Sequence, residues 1–263
     1  MEQWKRFRAQ AVIFDKDGTL IDFNAMWGGW TAYVSARLSA ASGLDVYPSL
    51  CQALGYDAVH HKTLPNGRLA SAPMSELRRA ATETLRSMGI SAAASKRIVA
   101  ECWRIPDPEI LAKPLTDLRA LFHLLGQSGI KIAIATSDDR APTLATLQTL
   151  DIDQAVSAIS CADDGGAPKP APDSVLTLCA KMNLSPSNVM VVGDTIADLQ
   201  MARAAGAGLA VGVLSGVSSS QDLVSHANIL IDSVEALTGY AKNVYAAEST
   251  LGLANATQKL ALD

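Results

Sequence analysis

Four separated stretches carry the residues that could do chemistry: Asp15-Lys16-Asp17-Gly18-Thr19, Thr136-Ser137, Lys169-Pro170, and Gly193-Asp194 with Asp198. Together they offer carboxylates, hydroxyls and one amine, the groups a phosphoryl-transfer site uses. Phosphate-monoester hydrolysis is among the slowest uncatalysed reactions. The phosphoryl group is anionic and repels a bare carboxylate, so a cation must first offset its charge. Asp15 and Asp194 make a hard-oxygen pair for Mg2+, which keeps several waters and takes one or two carboxylates plus substrate phosphate. A carboxylate also serves as the nucleophile by forming an aspartyl-phosphate. Asp15 directly follows an apolar run and is the better held of the two. Asp17 could protonate the leaving alkoxide and then take a proton from water. Gly18 permits a tight turn whose backbone N–H groups face the phosphate.

Each signal has a plainer reading beside it. Asp-x-Asp-Gly is also a strand-ending turn. Thr136 and Ser137 could bind a phosphate oxygen or cap a helix, with Asp138 and Asp139 as rival caps. Lys169 sits in the stiff loop Gly165-Gly166-Ala167-Pro168-Lys169-Pro170-Ala171-Pro172, where its ammonium could be aimed at a developing anion; alone it reads as a surface lysine. Asp198 could orient the metal shell or Lys169, or complement a helix dipole. His60, His61, Lys62 and Arg68 form a polar cluster that reads as a solvated loop or a substrate-carboxylate site. Trp27 and Trp30 read as core or hinge packing, and Lys16 as a solvated side chain or a contact to an anionic substrate.

Three of the stretches follow apolar runs: Ala11-Val12-Ile13-Phe14, Ile132-Ala133-Ile134-Ala135 and Val189-Met190-Val191-Val192. Such Val- and Ile-rich runs suit buried strands of a parallel sheet. Open α/β folds bind ligands at the rim where those strands end. From about residue 115 strands and helices alternate, with Pro142 and Pro172 opening helices, a short strand near 155–159, and further strands near 208–213 and 228–231. Residues 22–113 lack strand-like runs and read as a mostly helical insertion, with helices at 74–88 and 91–103. The fold class is α/β: a Rossmann-like doubly wound parallel sheet with an inserted helical cap. The core is assigned to 1–21 and 114–240, the cap to 22–113, and a low-signal, disordered or loosely helical tail to 241–263.

The 263 residues carry a net charge of -4, which counts against nucleic acid as a partner. The basic opening stretch is followed by no apolar run long enough for a signal peptide, and no run reaches a membrane span. Four widely spaced cysteines without a CxxC suit reduced thiols in a cytoplasmic protein. The expected partner is a small phosphorylated substrate, with the chain a monomer or homodimer.

The ordered set Asp15-x-Asp17-Gly18-Thr19, strand plus Thr136, Lys169-Pro170, and Gly193-Asp194-Thr195 with Asp198, followed by Met201-Ala202 and Ala205-Gly206, resembles the four motifs of the haloacid dehalogenase superfamily of phosphatases. The likeness covers about residues 11–237 and is nearest the phosphoglycolate-phosphatase-like branch, in which a mobile helical cap follows the first motif. The resemblance implies Asp15 as nucleophile, Asp17 as acid/base, and Thr136 and Lys169 as phosphoryl holders. It implies Mg2+ on Asp15, the Asp17 carbonyl and Asp194, with Asp198 in support. Lys16 and Phe23 depart from the usual pattern and bear on substrate identity. A small-metabolite phosphatase is the first reading. A sugar-phosphate mutase, a phosphonate or haloacid hydrolase, and a non-enzymatic phospho-accepting domain are the rivals. No GxGxxG follows the first strand and no GxxxxGK occurs, which disfavours a Rossmann dehydrogenase and a P-loop enzyme.

Overall fold

All four residues of the first strand, Ala-Val-Ile-Phe, are buried, so it has no face for water and belongs inside a covered sheet. The computed structural model describes residues 6–65 and 67–246. Among these, eight strands form in chain order: β1 (Ala11–Phe14), β2 (Tyr56–Asp57), β3 (Lys62–Thr63), β4 (Lys131–Ala135), β5 (Ala158–Ser160), β6 (Val189–Gly193), β7 (Leu209–Val213) and β8 (Ile229–Ile231). Six of them make one parallel sheet in the order β5-β4-β1-β6-β7-β8. The chain runs outward from β1 to β4 and β5, then crosses back to place β6 on the other side of β1. The reversal falls between β1 and β6, the position at which doubly wound sheets open a ligand crevice.

The period-two alternation of the strands builds both layers. Val12, Phe14, Ile132, Ile134, Met190 and Val192 pack on one face against the helix Leu118–Gln127 and the helix spanning 237–246. Phe14 stacks on Phe122 with ring centroids 5.5 Å apart. Ile13, Ala133, Ala135 and Val191 pack on the other face against the helices Asp173–Met182 and Ile196–Ala204.

Between β1 and β4 the chain builds a second hydrophobic core from Ile21, Trp27, Trp30, Leu38, Leu50 and Leu77, among others. It leaves and re-enters the sheet through a neck of paired backbone: the Asp22 N–H donates to the Lys113 carbonyl at 2.8 Å, and the Leu115 N–H to the Leu20 carbonyl at 3.0 Å. A π-helical turn, Asn24–Gly28, leads into the helix Gly29–Ser42. The expected helices appear as Met74–Ser87 and Ala92–Cys102.

Two expectations are corrected. The insertion holds a strand pair, β2 with β3, whose two-residue strands are too short to carry a periodic signal. The strand expected near 155–159 forms at Ala158–Ser160, because Asp153–Ala155 closes a 3-10 turn. Residues 241–246, assigned to the tail, continue a helix spanning 237–246 in which Ala241 and Val244 are buried against the sheet. The rest of that tail lies outside the described residues.

Candidate active site

Asp15 is the first residue past β1, and its N–H still donates to the Val192 carbonyl at 2.8 Å, so the sheet itself fixes its position. The Lys169 ammonium donates to Asp15 Oδ1 at 2.6 Å and to Asp198 Oδ1 at 2.7 Å. No hydrogen bond to Asp15 Oδ2 is present among the described residues. Asp198 is oriented by its helix: its Oδ2 accepts from the Thr195 N–H at 3.1 Å and from Thr195 Oγ1 at 2.6 Å, while its own N–H donates back to Thr195 Oγ1. This capping box satisfies the start of the helix Ile196–Ala204 and leaves Asp198 Oδ1 for the lysine. Asp198 thus both closes the helix start and contacts Lys169.

Asp194, one residue past β6, is fully buried. Thr19 Oγ1 donates to its Oδ1 at 3.2 Å and the Val217 N–H to its Oδ2 at 2.9 Å. Two glycines make room for it. Gly18 takes φ +87°, and a Cβ there would meet Asp194 Oδ2 at 2.5 Å; a Cβ on Gly216 would meet the same oxygen at 1.9 Å. Carboxylate oxygens of Asp15, Asp194 and Asp198 lie within 4.8 Å of one another. Asp17 also lines the pocket, one oxygen accepting from Trp27 Nε1 at 3.1 Å and the other paired with Lys16 at 2.6 Å. Thr136, buried at the end of β4, accepts from the Asp138 N–H at 3.1 Å and lines the same pocket. It is thus a turn residue as well as a candidate phosphate contact. Ser137 is exposed at the rim. The cavity they share measures about 240 Å³.

The profile of the haloacid dehalogenase-like hydrolases matches residues 9–206. The chain belongs to that family. It is 25% identical over 230 residues to the N-acetylmuramic acid 6-phosphate phosphatase of Pseudomonas aeruginosa, covering 87% of this chain and 92% of that one. It is 28% identical over 114 residues to the phosphoglycolate phosphatase of Escherichia coli, which covers 43% of this chain and 45% of that one. Its fold matches a HAD hydrolase of family IA, variant 3, from Entamoeba histolytica, with a TM-score of 0.59, 22% identity, and 88% and 99% of the two chains covered.

This hydrolase concentrates negative charge where water is scarce. Burial, outweighing the Lys169 ammonium, pushes the Asp15 carboxyl up to about 7, and Asp198 and Asp17 add to the rise. Burial and then the Asp15 and Asp198 charges lift Asp194 well above the usual carboxylate range. Burial also raises Asp17 against the pull of Lys16. Burial works against the Lys169 charge, yet Asp15 and Asp198 outweigh it and keep the ammonium above its ordinary value. Lys169 thus pairs with Asp15 and Asp198, while Lys16 pairs with Asp17. Asp15, Asp194 and Asp198 offer oxygens that could hold a hard divalent cation. The sign of the pH response follows. Carboxyls with raised folded pKa values bind more protons folded than unfolded, so without metal stability falls as pH rises from about 4 through about 7. Mg2+ is expected to raise the melting temperature more at pH 8 than at pH 5. Thermal melts with and without Mg2+ check this, and an increment that is larger at pH 5 would remove the charge-crowding account.

The structure overturns both sequence readings of Lys16. It is 2% exposed, neither solvated nor on the pocket wall, and pairs with Asp17 at 2.6 Å and Asp138 at 2.9 Å. His60 and His61 lie exposed in the turn between β2 and β3 and Lys62 exposed in β3; none of the three lines the pocket, and His60 is bound to Asp57. Arg68 reaches the Ala53 carbonyl and Glu76. Trp30 is core, its indole N–H on the Arg104 carbonyl at 2.7 Å. Trp27 is packed and also touches Asp17, which helical spacing does not reveal. The other residues unread in the sequence are Ser215, Gly216 and Val217. Ser215 Oγ donates to the Gly18 carbonyl at 2.9 Å. Their signal was available: Ser215-Gly216, one residue beyond the apolar run Leu209–Val213, marks another strand end on the same rim.

Proposed function

We propose that this hydrolase is a Mg2+-dependent phosphatase that removes the phosphoryl group from a small phosphorylated metabolite through an aspartyl-phosphate on Asp15. The observation that carries the reading is Asp15 itself: fixed at the end of the interior strand β1, lining the pocket, one oxygen held by Lys169 at 2.6 Å and the other without a hydrogen bond among the described residues. Its relatives are named as phosphatases of N-acetylmuramic acid 6-phosphate and phosphoglycolate, which supports the substrate class.

Asp15 Oδ2 attacks phosphorus as the bond to the leaving oxygen breaks, and that oxygen takes a proton from Asp17. Water then attacks phosphorus and gives a proton to Asp17, the bond to Asp15 breaks, and phosphate leaves. Lys169, Thr136 and Ser137 hold the phosphoryl oxygens, and Lys169 opposes their charge. Gly18 and Thr19 shape the turn and fix Asp194. Mg2+, held by Asp15, the Asp17 carbonyl and Asp194 with Asp198 in support, supplies charge neutralisation. Residues 22–113 act as a cap over the core of 1–21 and 114–240, excluding water when closed. The four cysteines are free and buried, which suits a reducing, cytoplasmic setting. No helix among the described residues is long and apolar enough to cross a membrane.

Phosphate release from a panel of phosphomonoesters, with Mg2+ and with chelator, tests the reading; no release in Mg2+, or equal release in chelator, would overturn it. Asp17→Asn is expected to slow alkyl phosphates by about 10²–10⁴-fold. Aryl phosphates, whose leaving groups need no proton, should lose far less. Equal losses on both would remove Asp17 as general acid.

A further inference from the structure

The phosphoryl end of the pocket is charged and polar, but the wall facing it is not. Among the described residues, every one that the helical insertion contributes to that wall is apolar, including Phe23, Trp27, Pro65, Leu69, Ala72 and Met74. Phe23 and Trp27 lie side by side with ring centroids 6.1 Å apart. The charged residues at the remaining edge, Asp138, Asp139 and Asp222, are all acidic. Lys169 is the one cation on the wall among the described residues, and it is committed to Asp15 and Asp198. Lys16 is sealed beneath Asp17 and Asp138. Arg68, whose position in the sequence suggests a carboxylate contact, spends its guanidinium on the Ala53 carbonyl and Glu76.

A leaving group that carried its own carboxylate or second phosphate would therefore enter a wall of apolar surface edged with negative charge. Burying an unpaired charge there is costly, and no uncommitted cation on the wall offsets it among the described residues. An uncharged leaving group with an apolar face would instead bury surface against Phe23, Trp27 and Met74.

We infer that this site selects phosphomonoesters of uncharged alcohols bearing an apolar face, and discriminates against acid-bearing esters of the phosphoglycolate kind. The inference rests on the phosphatase reading and narrows its substrate class.

The test compares kcat/KM in Mg2+ for two matched esters, glycerol 3-phosphate and 3-phosphoglycerate, which differ by a hydroxymethyl against a carboxylate, with benzyl phosphate and 2-phosphoglycolate alongside. Benzyl phosphate is expected to be the best of the four. Glycerol 3-phosphate is expected to exceed 3-phosphoglycerate by at least about tenfold. In Met74→Lys the same ratio should move toward 3-phosphoglycerate by about tenfold or more. Because it is a ratio within one preparation, it does not depend on the fraction of folded enzyme. Phosphate release in which either acid-bearing ester equals or beats its uncharged counterpart would overturn the inference while leaving the phosphatase reading standing. So would an unmoved ratio in Met74→Lys. Release from none of the four esters would overturn the phosphatase reading and the inference with it.

Discussion

Asp15→Asn should abolish phosphate release, lowering kcat by about 10⁴-fold or more, since loss of a covalent nucleophile removes the pathway rather than slowing one step of it. The fold should survive. Asn is nearly isosteric, its amide oxygen can still accept from Lys169, and the backbone bond to Val192 is untouched. The variant should in fact melt higher than the wild type in metal-free buffer above pH 7. Ionised Asp15 is pushed up to about 7 by burial and by its acidic neighbours, so at that pH its charge is a cost that the amide does not carry. Activity and thermal melts on the same preparation separate the two effects. Phosphate release within tenfold of the wild type would end the nucleophile assignment, whatever the melting temperature did.

That prediction rests on residues that could be read from the sequence because strands announce their own ends. Asp15, Thr136 and Asp194 each follow a buried apolar run, and parallel strands bring such ends to one rim whatever lies between them. Asp198 was legible for a related reason: four residues past Asp194, it sits in the first turn of the next helix. Lys169 follows no strand, and only the company of the others lifted it above an ordinary surface lysine.

The remainder was hidden for physical reasons. Lys16 reads as a solvated cation because a buried lysine is rare. It is buried here because two carboxylates, Asp17 and Asp138, come to it from different strand ends, and that is a tertiary fact. Trp27 shows helical spacing and a hydrophobic body, so sequence places it in a core. It sits in a π-helical turn, and its indole N–H reaches Asp17, a contact that helical spacing does not encode. The pocket wall is least legible. Leu69, Ala72 and Met74 come from a one-turn helix, its exit and the start of the next helix, which share no period. The exposed histidines drew attention by residue type alone, and type without position does not make a site.

Lys169→Met tests the other half of the charge arrangement. The side chain is 8% exposed, and its ammonium sits between two carboxylates at 2.6 and 2.7 Å. Methionine keeps most of the length and apolar stem but none of the charge. Asp15 and Asp198 would then face each other with nothing between them, beside Asp194 and Asp17. Breaking a buried ion pair by deleting one partner costs about 3–5 kcal/mol, because the orphaned charge stays desolvated. The metal-free variant should accordingly melt well below the wild type at pH 8. The gap should narrow at pH 5, where the raised carboxyls take up protons and no longer require a counter-charge. Mg2+ should recover part of the stability, since a divalent cation offsets the same carboxylates. It should not recover the rate. Lys169 is also placed to oppose charge on the transferring phosphoryl group, and losing such a preorganised contact costs about 10²–10³-fold in kcat. Lys169→Arg should rescue little of this, because a planar guanidinium cannot fill the place of a compact ammonium bridging two oxygens. A variant whose stability falls but whose kcat in saturating Mg2+ stays at the wild-type level would make Lys169 a structural counter-ion alone. The phosphoryl-holding role would then fall to Thr136 and Ser137.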